Sequence, residues 1–345
     1  MKDIISILER WTSEGTSVAV GSVIERVGSA PRDPGATLAV SGAGEVAGSV
    51  TGGCVEPAVI REATEVLNGQ PGRIYRYGLT DDEGFDVGLS CGGSIAVAVY
   101  ALDPALVPAV AQAIADDSSL AIAVRLGEER FGEQRLIPGH ADGGDPVEVA
   151  ALSLLGVGES GIVETTDGEL FFVESYVPRP DMYIFGASDH VTSLVTMGKF
   201  LGYRVTVVDA RRIFANQERF PEADEVVVQW PNEFLETAPI SRRTAIVILT
   251  HDPKFDIPIL EFALKSPVGY LGAMGSRRTH EKRKANLREI GVTDDQMERI
   301  HAPLGLDLGA RTPEETAVSI LAQIIALRTG RSGGHLDEAS GRIHA

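Results

Sequence analysis

Two cysteines are the residues of this chain with the most distinctive chemistry. They sit in mirrored contexts, Thr51-Gly52-Gly53-Cys54-Val55-Glu56 and Ser90-Cys91-Gly92-Gly93-Ser94. A glycine pair lets the backbone enter positive φ and lets a ligand approach the main chain. Successive N–H groups in such a turn cradle an anion. Cys54 stands just ahead of a helix predicted to open at Glu56-Pro57. A helix N-terminus favours the thiolate, the form that binds metals and attacks electrophiles. No C-x-x-C spacing and no neighbouring histidine pair accompany the cysteines, which argues against zinc. A soft metal held by one or two thiolates suits them better. Gly52, Gly53, Cys54, Glu56, Cys91, Gly92 and Gly93 thus form a first candidate cofactor site, with Cys54 and Cys91 as its metal ligands, expected to face a common cleft. The plainer alternative buries both cysteines as small apolar residues in tight turns.

A second constellation begins where a short apolar strand, 182–185, runs into Gly186-Ala187-Ser188-Asp189-His190-Val191 and then a helix. Asp209 follows at the end of the next strand. This is the layout of a Rossmann βαβ unit with a ribose-binding acid. The G-x-G-x-x-G pattern is degraded, because Ser188 and Val191 replace its second and third glycines. Two later turns, Thr250-His251-Asp252 and Gly275-Ser276-Arg277-Arg278, end further strands and so fall on the same carboxyl edge of the sheet. Gly186, Ser188, Asp209, His251, Arg277 and Arg278 are therefore candidate cofactor-binding residues. For His251 a hydrogen-bonded structural role competes, and for the two arginines a solvated helix start.

The elements that must position these residues follow from periodicity. Ile4, Ile5, Leu8 and Trp11 recur at helical spacing near the N-terminus, which reads as an amphipathic helix and not as a signal peptide. Strands are expected at 17–24, 36–40, 46–50, 95–100 and 120–126, helices at 56–67 and 104–114, and a hairpin around Asp167-Gly168. Pro178-Arg179-Pro180 reads as a linker. Beyond it, short apolar strands at 182–185, 204–208, 225–228, 245–249 and 268–271 alternate with helical stretches, the signature of a parallel sheet covered on both faces. Thr312, Pro313 and Glu315 form a capping box for a final helix that stops at Gly330. The expected fold class is α/β: an N-terminal α+β domain over 1–177, a Rossmann-like domain over 180–330, and a mobile tail over 331–345.

Composition narrows the function. The chain has 345 residues, 31 basic against 49 acidic, for a net charge of −18. Such a surface repels phosphate backbones and anionic membranes, so neither nucleic acid nor membrane is an expected partner. No apolar run reaches the 18 residues of a membrane span. Two cysteines make no disulfide framework, which leaves the cytoplasm as the default compartment. Symmetric dimers are the commonest soluble assembly, so a homodimer is expected.

Several motifs in order resemble a known family. Gly28-Ser29-Ala30-Pro31-Arg32, Gly35, Gly48-Ser49-Val50-Thr51-Gly52-Gly53-Cys54-Val55-Glu56 and Cys91-Gly92-Gly93 resemble the N-terminal domain of the xanthine dehydrogenase accessory factors, the XdhC/CoxI family. Tyr203-Arg204-Val205-Thr206-Val207-Val208-Asp209, Phe220-Pro221-Glu222-Ala223-Asp224, Thr250-His251-Asp252, Gly275-Ser276-Arg277-Arg278 and the stretch from His301 through Ala310 to Glu315 resemble its second half. The likeness spans residues 15–100 and 180–330. It implies a maturation factor for molybdenum hydroxylases such as xanthine dehydrogenase or carbon monoxide dehydrogenase, acting as a chaperone without turnover of its own. The implied cofactor is molybdenum cofactor (molybdopterin or its dinucleotide form), and the implied partners are the apo-hydroxylase and a cysteine desulfurase. A thiolate is a suitable handle for molybdenum, and a strand-to-helix turn for the cofactor's phosphate. One departure stands out. The family's first Rossmann turn commonly reads Gly-Ala-Gly-His-Val, whereas Gly186-Ala187-Ser188-Asp189-His190 here adds a negative charge where an anion would bind. Two other functions compete, an NAD(P)-dependent oxidoreductase on the Rossmann half and a non-catalytic docking scaffold. Ser188 and the lack of an acid–base pair beside a hydride site weigh against nicotinamide binding.

Overall fold

The computed structural model describes residues 1–28, 32–78 and 93–339, which divide into two compact units, Met1–Pro178 and Arg179–Ala339. Cys91 and Gly92 lie outside the described residues, and so do the last six positions of the tail.

The first unit is built on two antiparallel sheets. In chain order it runs α1 (Ile5–Ser13), β1 (Val18–Val27), β2 (Thr37–Ser41), β3 (Val46–Gly48), α2 (Glu56–Leu67), β4 (Arg73–Tyr77), β5 (Ser94–Ala101), α3 (Val107–Ala115), β6 (Leu120–Arg125), β7 (Gln134–Pro138), α4 (Pro146–Val157), β8 (Gly161–Glu164) and β9 (Leu170–Tyr176). The strand orders are β3-β2-β1-β5-β4 and β7-β6-β9-β8. Successive side chains of a strand point to opposite faces, and both sheets use this. Ala96, Ala98 and Tyr100 of β5 and Leu120, Ile122 and Val124 of β6 enter one core with Leu8 and Trp11 of α1. Ile95, Val97 and Val99 of β5 turn the other way, against Val59 and Ala63 of α2. Ala121 and Ala123 of β6 likewise meet Ala151 and Leu155 of α4. Each sheet is thus buried on both faces, and α2 is clamped by its apolar stripe to the outer face of the first. That fixes the direction in which its N-terminus, and the Cys54 turn, is presented.

The second unit is a doubly wound parallel sheet. It comprises β10 (Asp181–Phe185), α5 (His190–Phe200), β11 (Arg204–Val208), β12 (Glu225–Val227), α6 (Pro231–Thr237), β13 (Ala245–Ile248), α7 (Pro253–Lys265), β14 (Tyr270–Ala273), α8 (Arg277–Glu289), α9 (Asp294–Met297) and α10 (Pro313–Arg328). The order β12-β11-β10-β13-β14 reverses direction beside β10, and all four pairings are parallel. Met182 and Ile184 face α5 and α10, whereas Tyr183 and Phe185 face α6 and α7. The carboxyl ends of β10 and β13 therefore flank the crevice where ligands of such sheets bind. The Thr312–Glu315 capping box is formed, and α10 ends at Arg328 with Gly330 in positive φ. In the tail, Gly333 lies against Leu306 and Ala326. Among the described residues no helix is long and apolar enough to cross a membrane.

Candidate functional site

The turn before α2 is organised by a single carboxylate. Glu56, the first residue of the helix, accepts hydrogen bonds from the hydroxyls of Ser49 (2.6 Å) and Thr51 (2.7 Å). It also accepts from the backbone N–H groups of Val50, Thr51, Gly52, Gly53 and Val55, at 2.8–3.2 Å. Gly52 and Gly53 reach φ of 89° and 134°, and this left-handed backbone is what lets their N–H groups converge on one point. The sequence suggests a glycine turn that cradles an external anion. In the structure the cradle is formed and the chain's own Glu56 occupies it. Burial works to raise the Glu56 pKa, but the hydrogen bonds from Ser49, Thr51 and the backbone overcome it and hold the carboxyl far below the usual range. The carboxylate stays charged and the turn stays closed around it.

Cys54 stands at the tip of this turn with its side chain exposed. Its N–H is donated to the Thr51 hydroxyl at 3.2 Å. The alternative of a buried apolar cysteine therefore does not hold for Cys54. Gly93 is buried at the entry to β5. The expected approach of Cys54 and Cys91 falls outside the described residues. Among those residues no three or more His, Cys, Asp or Glu side chains gather as a metal site. The soft donor on view is the Cys54 thiol, which suits molybdenum and is a poor basis for a hard cation.

At the carboxyl edge of the second unit's sheet, Gly186 makes the turn out of β10 with φ 103°. A Cβ there would stand 2.9 Å from the Thr250 methyl and 3.1 Å from the Thr250 nitrogen, so the turn leaving β13 passes too close for any side chain. This is the physical reason for the first glycine of the pattern. The second position, Ser188, is partly buried, and its hydroxyl has no hydrogen-bond partner among the described residues. Asp209 is 4% exposed and fully engaged. Its carboxylate accepts from Ala187 N–H (3.1 Å), from Arg211 N–H (2.9 Å) and from the Arg211 guanidinium (2.9 and 2.7 Å). Burial works to raise its pKa, and the Arg211 contacts prevail to lower it. The acid expected to hold a ribose diol therefore has its lone pairs committed to Arg211 and the turn. Arg211 is a participant the motif reading missed, although Asp209-Ala210-Arg211 places it two residues away. Asp189 is exposed and pairs with Arg219 at 3.2 Å.

His251 is exposed on the turn after β13, and Asp252 beside it caps α7 by accepting from Lys254 N–H at 3.1 Å. Arg277 and Arg278 open α8 and are exposed. Ser276 caps that helix by accepting from Thr279 N–H at 3.1 Å. Below them, Arg283 donates to Asp256 at 2.8 and 2.6 Å, a pair only 2–3% exposed, and Thr250 donates to the same carboxylate. Gly186, Ser188, Asp209, His251, Arg277 and Arg278 thus all lie on one edge of the sheet. The cysteine turn belongs to the other unit.

A parallel sheet that reverses beside its first strand, with a glycine turn at the reversal, defines the second unit as a Rossmann-type domain. Comparison with known proteins then fixes the family. A model described as the XdhC Rossmann domain matches residues 182–324, and one described as the XdhC and CoxI family matches residues 11–78. The chain belongs to the XdhC and CoxI family. It is 29% identical over 91% of its length to the molybdenum cofactor insertion chaperone PaoD of Escherichia coli, covering 84% of that protein. It is 22% identical over 95% of its length to a Bacillus subtilis protein described as a probable xanthine dehydrogenase component, covering 98% of it. A crystal structure described as a xanthine dehydrogenase from Bacillus halodurans aligns with a TM-score of 0.63 at 27% identity, covering 97% of each chain.

Proposed function

We propose that this protein carries molybdenum cofactor as cargo and delivers it to an apo molybdenum hydroxylase of the xanthine dehydrogenase or carbon monoxide dehydrogenase kind. The reading is carried by the exposed Cys54 thiol, held at the tip of a turn that Glu56 closes. It is supported by the likeness to a molybdenum cofactor insertion chaperone along nine-tenths of the chain. Cys54 is the proposed molybdenum handle, with Cys91 as its partner. Within the second unit, the carboxyl edge of the Rossmann sheet is proposed separately as a binding edge for a phosphate-bearing group such as that of molybdopterin or its dinucleotide form. A cysteine desulfurase that supplies the terminal sulfur is the second proposed partner, and the carrier acts as a cytoplasmic homodimer. Glu56 enters this reading as the residue that shapes the turn, because its oxygens are already taken. Nicotinamide binding gains no support, since Asp209 is paired with Arg211.

The test is molybdenum and pterin content per chain after gel filtration, for protein made in a cofactor-producing host. Wild type is expected to retain both. Cys54→Ala is expected to lose most of the metal with an unchanged circular dichroism spectrum, because the change removes a soft donor from an exposed position. Wild type that never retains molybdenum or pterin would overturn the carrier reading. Unchanged retention in Cys54→Ala would remove Cys54 as the handle.

A further inference from the structure

In a chain of net charge −18, α8 is a basic helix. It holds Arg277, Arg278, Lys282, Arg283, Lys284 and Arg288 against Glu281 and Glu289. Arg283 pairs with Asp256, Lys284 with Glu281 and Arg288 with Asp294. Arg277, Arg278 and Lys282 are exposed and have no hydrogen-bond or carboxylate partner among the described residues. Two of these cations occupy the first turn, where the helix dipole disfavours positive charge. An anion at that end would reverse the sign of the cost. The Ser276 hydroxyl caps only the Thr279 N–H. The N–H groups of Arg277 and Arg278 remain as donors at the helix mouth.

A second, independent observation lies beneath that mouth. Arg283 is 3% exposed. Its Nε and Nη2 are satisfied by Asp256, and Nη2 also by the Met274 carbonyl at 2.6 Å. Its Nη1 is buried with no partner among the described residues. Leaving a buried charged donor unpaired costs its desolvation in full, so such a group calls for an occupant. Nη1 faces Gly275, where a Cβ would stand 3.3 Å away. With no Cβ at Gly275, no side chain stands between Nη1 and the turn, and the two pack closely. The turn at Gly186 offers less to an anion: Asp209 takes the Ala187 N–H, and Asp189 contributes a carboxylate.

We propose that the turn at residues 275–278 is a phosphoryl-binding subsite. The anion is received by the first N–H groups of α8 and flanked by Arg277 and Arg278, and the buried Arg283 charge backs it from beneath Gly275. That this phosphoryl group belongs to the cargo rests on the function proposed above; the anion site does not.

The probe is inorganic pyrophosphate, titrated calorimetrically into the full chain at about 10 mM salt, where exposed charges act over roughly 30 Å. Wild type is expected to take up one pyrophosphate, more weakly as salt rises. Joint Arg277→Ala and Arg278→Ala substitution is expected to weaken uptake at least about tenfold, the scale of one charge-assisted hydrogen bond. Arg283→Lys, checked for folding by circular dichroism, keeps the charge opposite Asp256 but removes Nη1, and is expected to weaken uptake several-fold. Lys265→Ala, at the far end of α7, is expected to change nothing. No uptake by wild type, unchanged uptake by the Arg277/Arg278 double variant, or an equal loss in Ser188→Ala would each overturn the subsite. If Arg283→Lys does not fold, the exposed double variant still decides. Molybdenum retention without pyrophosphate uptake would reject the subsite and leave the carrier function standing. Uptake without retention would do the reverse.

Discussion

Removal of the Glu56 carboxylate should open the Cys54 turn while leaving the rest of the fold in place. Seven donors converge on Glu56, more than the roughly four lone-pair sites a carboxylate provides, so they share them and their strengths do not add. Gly52 and Gly53 are exposed, and water can replace Glu56 at their N–H groups. Val50 and Thr51 are buried, and their N–H groups would be stranded. Two such bonds to a charged acceptor, at ~1.5–3 kcal/mol each, give ~3–6 kcal/mol. The lower part of that range is expected for Glu56→Ala, because the turn can relax and admit water. A loss of ~3–4 kcal/mol corresponds to about two to three decades in an equilibrium constant. Amide hydrogen exchange on the full chain reads this directly. Protection at Thr51, Gly52 and Gly53 should fall by that factor, while amides of β11 are unchanged. pH adds a sign test. The folded pKa of Glu56 is depressed, so its contribution is fully present above the ordinary glutamate value of ~4.3 and is lost as pH falls below it toward the folded value. Wild type should therefore lose protection at this turn on acidification below about pH 4.3, and Glu56→Gln should lack that component. Exchange at residues 51–53 unchanged within about threefold in Glu56→Ala would refute the reasoning.

Asp256→Ala should destabilise the Rossmann unit by ~3–5 kcal/mol in urea unfolding, because it leaves the buried Arg283 charge unpaired. A loss under about 1 kcal/mol would mean that water reaches that guanidinium. Gly186→Ala should lower stability by ~1–3 kcal/mol, since it combines φ 103° with a 2.9 Å approach to Thr250. A melting temperature equal to wild type would show that the turn has room to move.

Much of the architecture is legible in the sequence because its signals are local. Pro57 near the start of α2 and Asn68-Gly69 at its end bound that helix, and both ends fall where expected. The five strands of the second unit read clearly because a doubly covered sheet makes nearly continuous apolar runs, and β10, β11 and β13 are such runs. The elements that escaped lack those signals. β4, Arg73–Tyr77, is an edge strand whose two exposed arginines, three residues apart, break the two-residue alternation, and β7, Gln134–Pro138, is an edge strand closed by a proline. α4 carries apolar residues around most of its circumference, which hides its phase. At the site, residue types announce the Gly52-Gly53 turn, but nothing in them says that a side chain three positions on would fill it. Arg283 is the more instructive miss. It sits within a basic run that reads as a solvated face, yet His280, Arg283 and Leu287 recur at spacings of three and four, and all three are buried. Helical phase, weighed above charge, would have placed it inside.

The Rossmann turn keeps one part of its usual equipment and has changed the other, and the two parts answer to different forces. Gly186 serves the fold: its φ and the nearness of Thr250 exclude a side chain whether or not a ligand binds. Ser188 and Asp209 would serve a dinucleotide, and there the chain departs, with a hydroxyl where a bare backbone would meet a pyrophosphate and an acid tied to Arg211. Function can drift at one edge of a sheet while the sheet is held by its core. The charge distribution points the same way. A net charge of −18 repels a long polyanion along its whole length, because every further phosphate meets acidic surface. A small anion samples only the field within about one Debye length, ~8 Å at physiological salt. Within that reach at the mouth of α8 stand the guanidinium of Arg283 and the side chains of Arg277 and Arg278. On the proposed subsite, an acidic chain with a basic helix end would discriminate by size, since a single phosphoryl group lies within reach of these cations whereas a nucleic acid meets acidic surface along its length.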